Sequence, residues 1–410
     1  MNCRHCNENL HIIMIDLGHQ PASNSYLNSS RLLEGEVYAP LKVFVCDKCW
    51  LAQIPSLHMS HELFTPDYAY FSSVSEGWVE HAKQYVSAMI GRFNLTPDDW
   101  VVEIASNDGY LLRFVQDAGI PCLGIEPTAS TAAAARALGI ESLEQFFGAD
   151  LARELVAKRG HAALTVANNV LAHVPDINDF VEGFSILLAP EGVGTFEFPH
   201  LVNLINLCQF DTIYHEHYSY LSLTAVERVF TAKGMRIFDV EKLPTHGGSL
   251  RVYVCKEDAQ IHPEMPAVSA LLAEEATQGV ATQEYYQSIS DRAQKIKLDL
   301  LEFLVAQKKN GKTVAAYGAA AKGNTLLNFA GVHADLISFV YDAAPSKQGR
   351  YMPGSHIPIL PPSAMYEHKP DFILILPWNI QDEVIHQNGS IKDWGAHFVV
   401  AIPQLEIISA

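Results

Sequence analysis

The chain has 410 residues, more than one hydrophobic core usually organises, so two or three domains are expected. Hydrophobic residues make up 49% and charged residues 18%, the balance of a folded chain and not of a disordered one. A formal charge of -18 repels phosphate backbones and anionic headgroups, which argues against nucleic acid and membrane surfaces as partners. The polar start MNCRHCNENL lacks the apolar stretch of a signal peptide, and no apolar run approaches the ~20 residues of a spanning helix; the expected location is the cytoplasm.

Residues 1–66 carry two Cys-x2-Cys pairs, Cys3 with Cys6 and Cys46 with Cys49, among short apolar stretches such as LKVFVC and many loop formers. Such a segment cannot bury much core unaided, and a metal staple would supply the missing stability. In a reducing compartment, two matching thiolate grips point to one tetrahedral zinc ion with all four positions filled by sulfur. Such a site is structural, with no position open for catalysis.

Residues 67–265 read as a first α/β domain. The spacing of Trp78, Ala82, Tyr85, Val86, Met89 and Phe93 predicts a helix. Strands follow at WVVEIA, PCLGIEP, AALTVANNVL, GVGTFEFP and GMRIFDVEKL, with helix-like segments between them. This pattern argues for a mostly parallel sheet covered on both faces, with the hairpin-like THGGSLRVYVC closing it. Residues 266–309 lack strand signals and place Ile289, Ala293, Ile296 and Leu300 at helical spacing, as a helical connector would. Residues 310–410 read as a second Rossmann-like α/β domain, with strands at TVAAYG, ISFVYD, DFILILP and HFVVAI and a helix over NTLLNFAG.

Three polar constellations stand on this frame. In WVVEIASNDGYLL a strand runs into a small-residue turn, Ser106, Asn107, Asp108 and Gly109, and then a helix, where α/β sheets expose backbone amides to nucleotides. The turn alone is a weak signal, since dinucleotide folds carry three glycines there. Glu126 in GIEP, at the end of the next strand, is placed to take two ribose hydroxyls, and VANNVLAHVPD brings Asn168, Asn169 and His173 to the same edge. S-adenosylmethionine (SAM) fits better than NAD, with Glu103 and Asp108 available to its cationic groups. The segment FDTIYHEHYSYLS crowds Tyr214, His215, Glu216, His217, Tyr218 and Tyr220 together, a density that packing or a chance His-x-His metal pair explains poorly. In VAAYGAAAKGNTLLNF, Lys322 could serve as counter-charge to a phosphate, although a packing turn would have the same sequence.

With the two CxxC knuckles, EIASNDGYLL, GIEP, NVLAHVPD, YHEHYSY and GAAAKGN in this order, nearly the whole chain resembles the SAM-dependent sugar C-methyltransferases. The likeness is to those acting at carbon-3 of nucleotide-linked 4-keto-deoxysugars, such as the tetronitrose C-methyltransferase. It implies a zinc module, a central SAM domain and a C-terminal Rossmann-like domain that helps hold a nucleotide-sugar, thymidine diphosphate being the expected carrier. By that resemblance His217 is the general base, with Glu216 and Tyr214 beside it. Asn169, His173 and either Tyr68 or Tyr70 would orient or activate the sugar. A monomer is the default expectation. The residues leave other readings open: a SAM-dependent O-methyltransferase in which His217 deprotonates a hydroxyl, a nicotinamide-dependent oxidoreductase, and a zinc-bearing interaction scaffold.

Overall fold

The computed structural model describes residues 1–55 and 71–409. The chain divides into two compact units: Met1–Leu10, Cys46–His200 and Tyr218–Ala281 form the first, and His11–Val45, Leu201–His217 and Thr282–Ala410 the second. No helix among the described residues is long and apolar enough to cross a membrane.

The first unit is built on a seven-stranded sheet. Its strands are β1 (Val101–Ile104), β2 (Cys122–Ile125), β3 (Ser142–Leu143), β4 (Ala162–Asn168), β5 (Leu188–Pro199), β6 (Met235–Leu243) and β7 (Ser249–Lys256). They lie in the order β6-β7-β5-β4-β1-β2-β3. Neighbours from β5 through β3 are parallel, and β7 alone runs against the rest, pairing antiparallel with both β5 and β6. Every residue of β1 is buried, as expected of a parallel strand covered on both faces. The predicted helix appears as α1 (Glu76–Phe93), capped by the Ser75 hydroxyl, which accepts from the Trp78 amide. Its Ala82, Tyr85, Val86 and Met89 form one stripe, packed with Val101, Leu111, Leu164, Val166 and Tyr253 in the core of this unit. Strand order reverses between β1 and β4, the switch point outside whose carboxyl ends open α/β sheets bind ligands.

The helical stretch breaks into α2 (Pro266–Gln278), in the first unit, and α3 (Gln283–Lys309), in the second. Along α3 the four residues expected on one face, Ile289, Ala293, Ile296 and Leu300, are all buried. The second unit also holds an antiparallel pair, Ile12–Gln20 with Ala39–Val45, whose second strand alternates strictly between buried and half-buried positions. Its six-stranded sheet comprises β8 (Val314–Tyr317), β9 (Val340–Tyr341), β10 (Ile359–Leu360), β11 (Phe372–Ile375), β12 (His397–Val400) and β13 (Glu406–Ser409). The order is β10-β9-β8-β11-β12-β13, parallel except for β13. The helix α4 (Ala321–Ala330) follows β8.

Candidate functional site

The four knuckle cysteines all fall in the first unit, and their sulfur atoms lie within 4.8 Å of one another. Cys3 Sγ is 3.5 Å from Cys49 Sγ, and Cys6 Sγ is 3.4 Å from Cys46 Sγ and 3.7 Å from Cys49 Sγ. A tetrahedral ion with Zn–S bonds of about 2.3 Å needs sulfurs about 3.8 Å apart, so the set fits zinc closely. Cys3, Cys46 and Cys49 are buried, and with four sulfurs the coordination is closed.

At the carboxyl edge of the first sheet the turn after β1 bends sharply: Ala105, Asn107 and Gly109 take φ of 53, 49 and 80°. Left-handed backbone is costly for alanine and is found mainly where the surroundings enforce it, often at binding sites. Only glycine suits position 109, where a Cβ would also lie 2.5 Å from Ile140 Cδ1. Across the switch point Asn169, at φ 56°, turns the chain away from β4. Glu126, buried, accepts from the Asn107 amide at 2.9 Å and the Thr128 amide at 2.8 Å. Burial raises its pKa, and these amide contacts offset part of the rise. Burial likewise raises the pKa of Glu103 well above the usual carboxylate range.

The set of acceptors suits SAM. Among the described residues, Glu103 Oε2, Asp108 Oδ1, Asn168 Oδ1 and Asn169 Oδ1 are buried acceptors without a protein partner, and Ser106 Oγ is similarly placed. Buried acceptors require donors, and the cofactor's ammonium and hydroxyl groups are donors. His173 follows on the short helical turn Leu171–His173. The sequence therefore brought to one edge Glu103, Ser106, Asn107, Asp108, Gly109, Glu126, Asn168 and Asn169.

In the second unit, His217 Nδ1–H donates to the Thr212 carbonyl at 2.8 Å, and its ring lies 4.0 Å from that of Tyr214. Glu216 is buried and accepts from Asn24 Nδ2 at 2.7 Å. The Thr325 hydroxyl of α4 donates to the Ile213 carbonyl at 2.8 Å, tying the segment to the helix. Lys322, at the start of α4, donates to Asn379 Oδ1 at 2.8 Å and lies 4.5 Å from the Trp378 ring centroid. Burial lowers its pKa to about 8, with Asp211 acting in opposition. Burial pushes the Asp211 carboxyl up to about 6, held back by Lys322 and by the Trp378 indole N–H, which donates at 2.8 Å. Tyr68 and Tyr70 lie outside the described residues.

Sequence reading passed over Asp211, Trp378 and a buried charged group in the first unit, Glu197 with His81 and Arg251. The signal for Glu197 was present: a lone carboxylate in the otherwise apolar strand segment GTFEFP.

Fold and edge together define the class of SAM-dependent methyltransferases. Three family models match the chain: a "Putative zinc binding domain" over residues 3–64, a methyltransferase domain over 78–240 and a C-methyltransferase C-terminal domain over 244–403. The C-methyltransferase NovU of Streptomyces niveus is 36% identical over 408 residues, spanning 100% of this chain and 97% of that protein. The chain belongs to this C-methyltransferase family, and its acceptor atom is carbon. The hydroxyl acceptor and the hydride chemistry considered above therefore do not describe it.

Among solved structures, magnesium protoporphyrin IX methyltransferase from Synechocystis PCC 6803 with bound SAM matches 44% of this chain and 80% of its own, at 13% identity and a TM-score of 0.34. A SAM-dependent methyltransferase from Mesorhizobium loti matches 43% of this chain and 99% of its own, at 13% identity and a TM-score of 0.34. Likenesses at that score add nothing to the assignment.

Proposed function

We propose that this enzyme methylates carbon-3 of a nucleotide-linked, dTDP-bound, 4-keto-deoxysugar, with His217 as the general base. The observation that carries the reading is the Nδ1–H bond from His217 to the Thr212 carbonyl. A ring that donates from Nδ1 keeps its basic lone pair on Nε2 while neutral, which is the form a base needs. Carbon becomes nucleophilic only as a carbanion, and the adjacent ketone delocalises that charge as an enolate. His217 takes the carbon-3 proton, with Glu216 and Tyr214 beside it, and Asn169 and His173 have the role of orienting or activating the sugar. Tyr68 or Tyr70 shares that work.

SAM supplies the electrophilic methyl group. In this reading Glu126 receives its ribose hydroxyls, Glu103 and Asp108 its cationic end, and Ser106, Asn107, Gly109 and Asn168 complete the cradle. Lys322 serves as counter-charge to the nucleotide phosphates. Zinc, enclosed by four sulfurs, stays outside the chemistry.

Mass spectrometry of dTDP-4-keto-deoxysugars incubated with the enzyme in heavy water tests this. Without SAM, one deuterium is expected to enter carbon-3, and with SAM one methyl appears there. His217→Asn is expected to abolish the exchange and lower turnover by about 100-fold or more while SAM still binds. Exchange at normal rate in that variant would remove His217 from the role.

A further inference from the structure

The carboxyl edge of the first sheet is flanked by a buried charged group. Glu197, on β5, has a side chain with 0% exposure. It accepts from His81 Nε2 at 2.8 Å, from Arg251 Nη2 at 2.8 Å and from the Thr245 hydroxyl at 2.9 Å. Burial alone would raise its pKa, but the His81 bond and the Arg251 charge hold it below the usual carboxylate range. Arg251 stands directly across from Glu197 on β7, the one antiparallel strand. A buried ion pair adds little net stability over apolar packing, so fixed geometry is what such a group best supplies.

What it fixes can be traced in two directions. Through its main-chain carbonyl, Glu197 accepts the amide of Asn169 at 2.7 Å, and it pairs in register with Asn168. Through its carboxylate it grips His81, in the second turn of α1. Just ahead of that helix, the Ser72 amide donates to Asn107 Oδ1 at 2.9 Å and the Ser73 amide to Asp108 Oδ2 at 3.1 Å. Trp78 joins the two ends, its ring 5.0 Å from that of His81 and 6.0 Å from that of Tyr110. One residue thus connects to both halves of the switch point: its backbone pairs with Asn168 and Asn169, and its carboxylate holds the helix whose leading segment bonds the Asn107–Asp108 turn.

We propose that His81, anchored on Glu197, is a positioning residue for the methyl donor: it fixes the start of α1 so that the Ser72 and Ser73 amides hold the turn that receives SAM. The inference rests on the proposal above that this turn and Glu126 bind SAM. It does not depend on the sugar or on the identity of the base.

Calorimetric titration of the full chain with SAM, paired with kinetics, tests it. His81→Ala removes a charge-assisted hydrogen bond and is expected to raise the SAM Kd about tenfold, with a larger rise in KM for SAM than fall in kcat. His81→Gln can still donate to Glu197 and is expected to recover most of that loss. Hydrogen exchange supplies a local readout: SAM is expected to protect residues 71–76 in the parent chain and in His81→Gln, but not in His81→Ala. Equal SAM affinity in all three chains, with only the melting temperature altered, would overturn the proposal, as would an equal loss in the Ala and Gln variants. Glu126→Ala separates the two failures. If it weakens SAM while His81→Ala does not, the positioning role alone is lost; if neither weakens SAM, the placement of SAM on this edge is lost with it.

Discussion

The two strand-turn-helix corners of the molecule, after β1 and after β8, share a plan and differ in charge logic. Each has a glycine at positive φ, Gly109 at 80° and Gly318 at 88°, and each has an acidic residue just after or next to the following strand, Glu126 and Asp342. In the first corner the acid braces its own turn, and further buried acceptors remain for a ligand. In the second corner Asp342 is taken up internally: Oδ2 accepts from the Ala319 amide at 2.7 Å, Oδ1 accepts from the Ala344 amide at 2.7 Å, and Lys347 lies 3.5 Å away. What this corner presents is a cation, Lys322. The same backbone device therefore offers acceptors in one unit, suited to a sulfonium cofactor, and a positive charge in the other, suited to phosphate.

Exchanging the roles of the two corners should break this contrast if it is wrong. The largest effect is expected from Glu126→Ala, which should weaken SAM binding by about tenfold to a hundredfold, while Asp342→Asn leaves it intact. Calorimetry on both variants decides; equal losses would erase the distinction. Next come the glycines. Gly318→Ala would place a Cβ 2.5 Å from Pro377 Cδ, a rigid ring, whereas the Gly109 neighbour is the flexible tip of Ile140. With left-handed strain of about 1–2 kcal/mol at either site, Gly318→Ala should lower the melting temperature by several degrees and Gly109→Ala by less. Thermal melts showing the reverse order would mean that Pro377 yields and Ile140 does not.

The smallest effect concerns pH. Lys322 has a folded pKa of about 8, below its ordinary 10.5. A lysine whose pKa is depressed by folding costs stability while protonated, and that cost is relieved as pH rises from about 8 to 10.5. Over the start of the same window its charge is lost. Affinity for dTDP should therefore fall by less than tenfold as pH passes about 8, and Lys322→Met should flatten the profile. An unchanged profile in that variant would place the phosphate elsewhere.

Much of this was legible in the sequence because the signals were local. WVVEIA and DFILILP read as buried strands from apolar runs beside turn formers, and α1 and α3 from their 3.6-residue stripes. The polar edge proposed for the cofactor could be named because Ser106–Gly109 and Glu126 sit just past recognisable strands and Asn168 ends one. What escaped reading was set by tertiary pairing. Strand β10 is two residues long and carries no periodicity, and β13 is an antiparallel addition at the sheet edge. Glu197 stands out as a lone carboxylate between Phe196 and Phe198, but its meaning depends on His81 and Arg251, each distant in sequence. The passage from one unit to the other falls between His217 and Tyr218, inside a single continuous motif that gives no hint of a boundary.

The spacing of the knuckles has a topological consequence. The chain leaves the first unit after Leu10 and re-enters it at Cys46. With zinc bound, that excursion begins and ends on one ion, because Cys6 and Cys46, 40 positions apart, are both ligands. The metal then acts as a reversible cross-link that closes a ring of chain. In the chain-entropy picture, closing a loop of that length removes about 4 kcal/mol of disorder from the unfolded ensemble. A cell that withholds zinc would therefore lower the unfolding free energy of the chain by restoring that disorder to its unfolded state, although of the enclosed strands Ile12–Gln20 and Ala39–Val45 only Val45 adjoins a ligand in sequence.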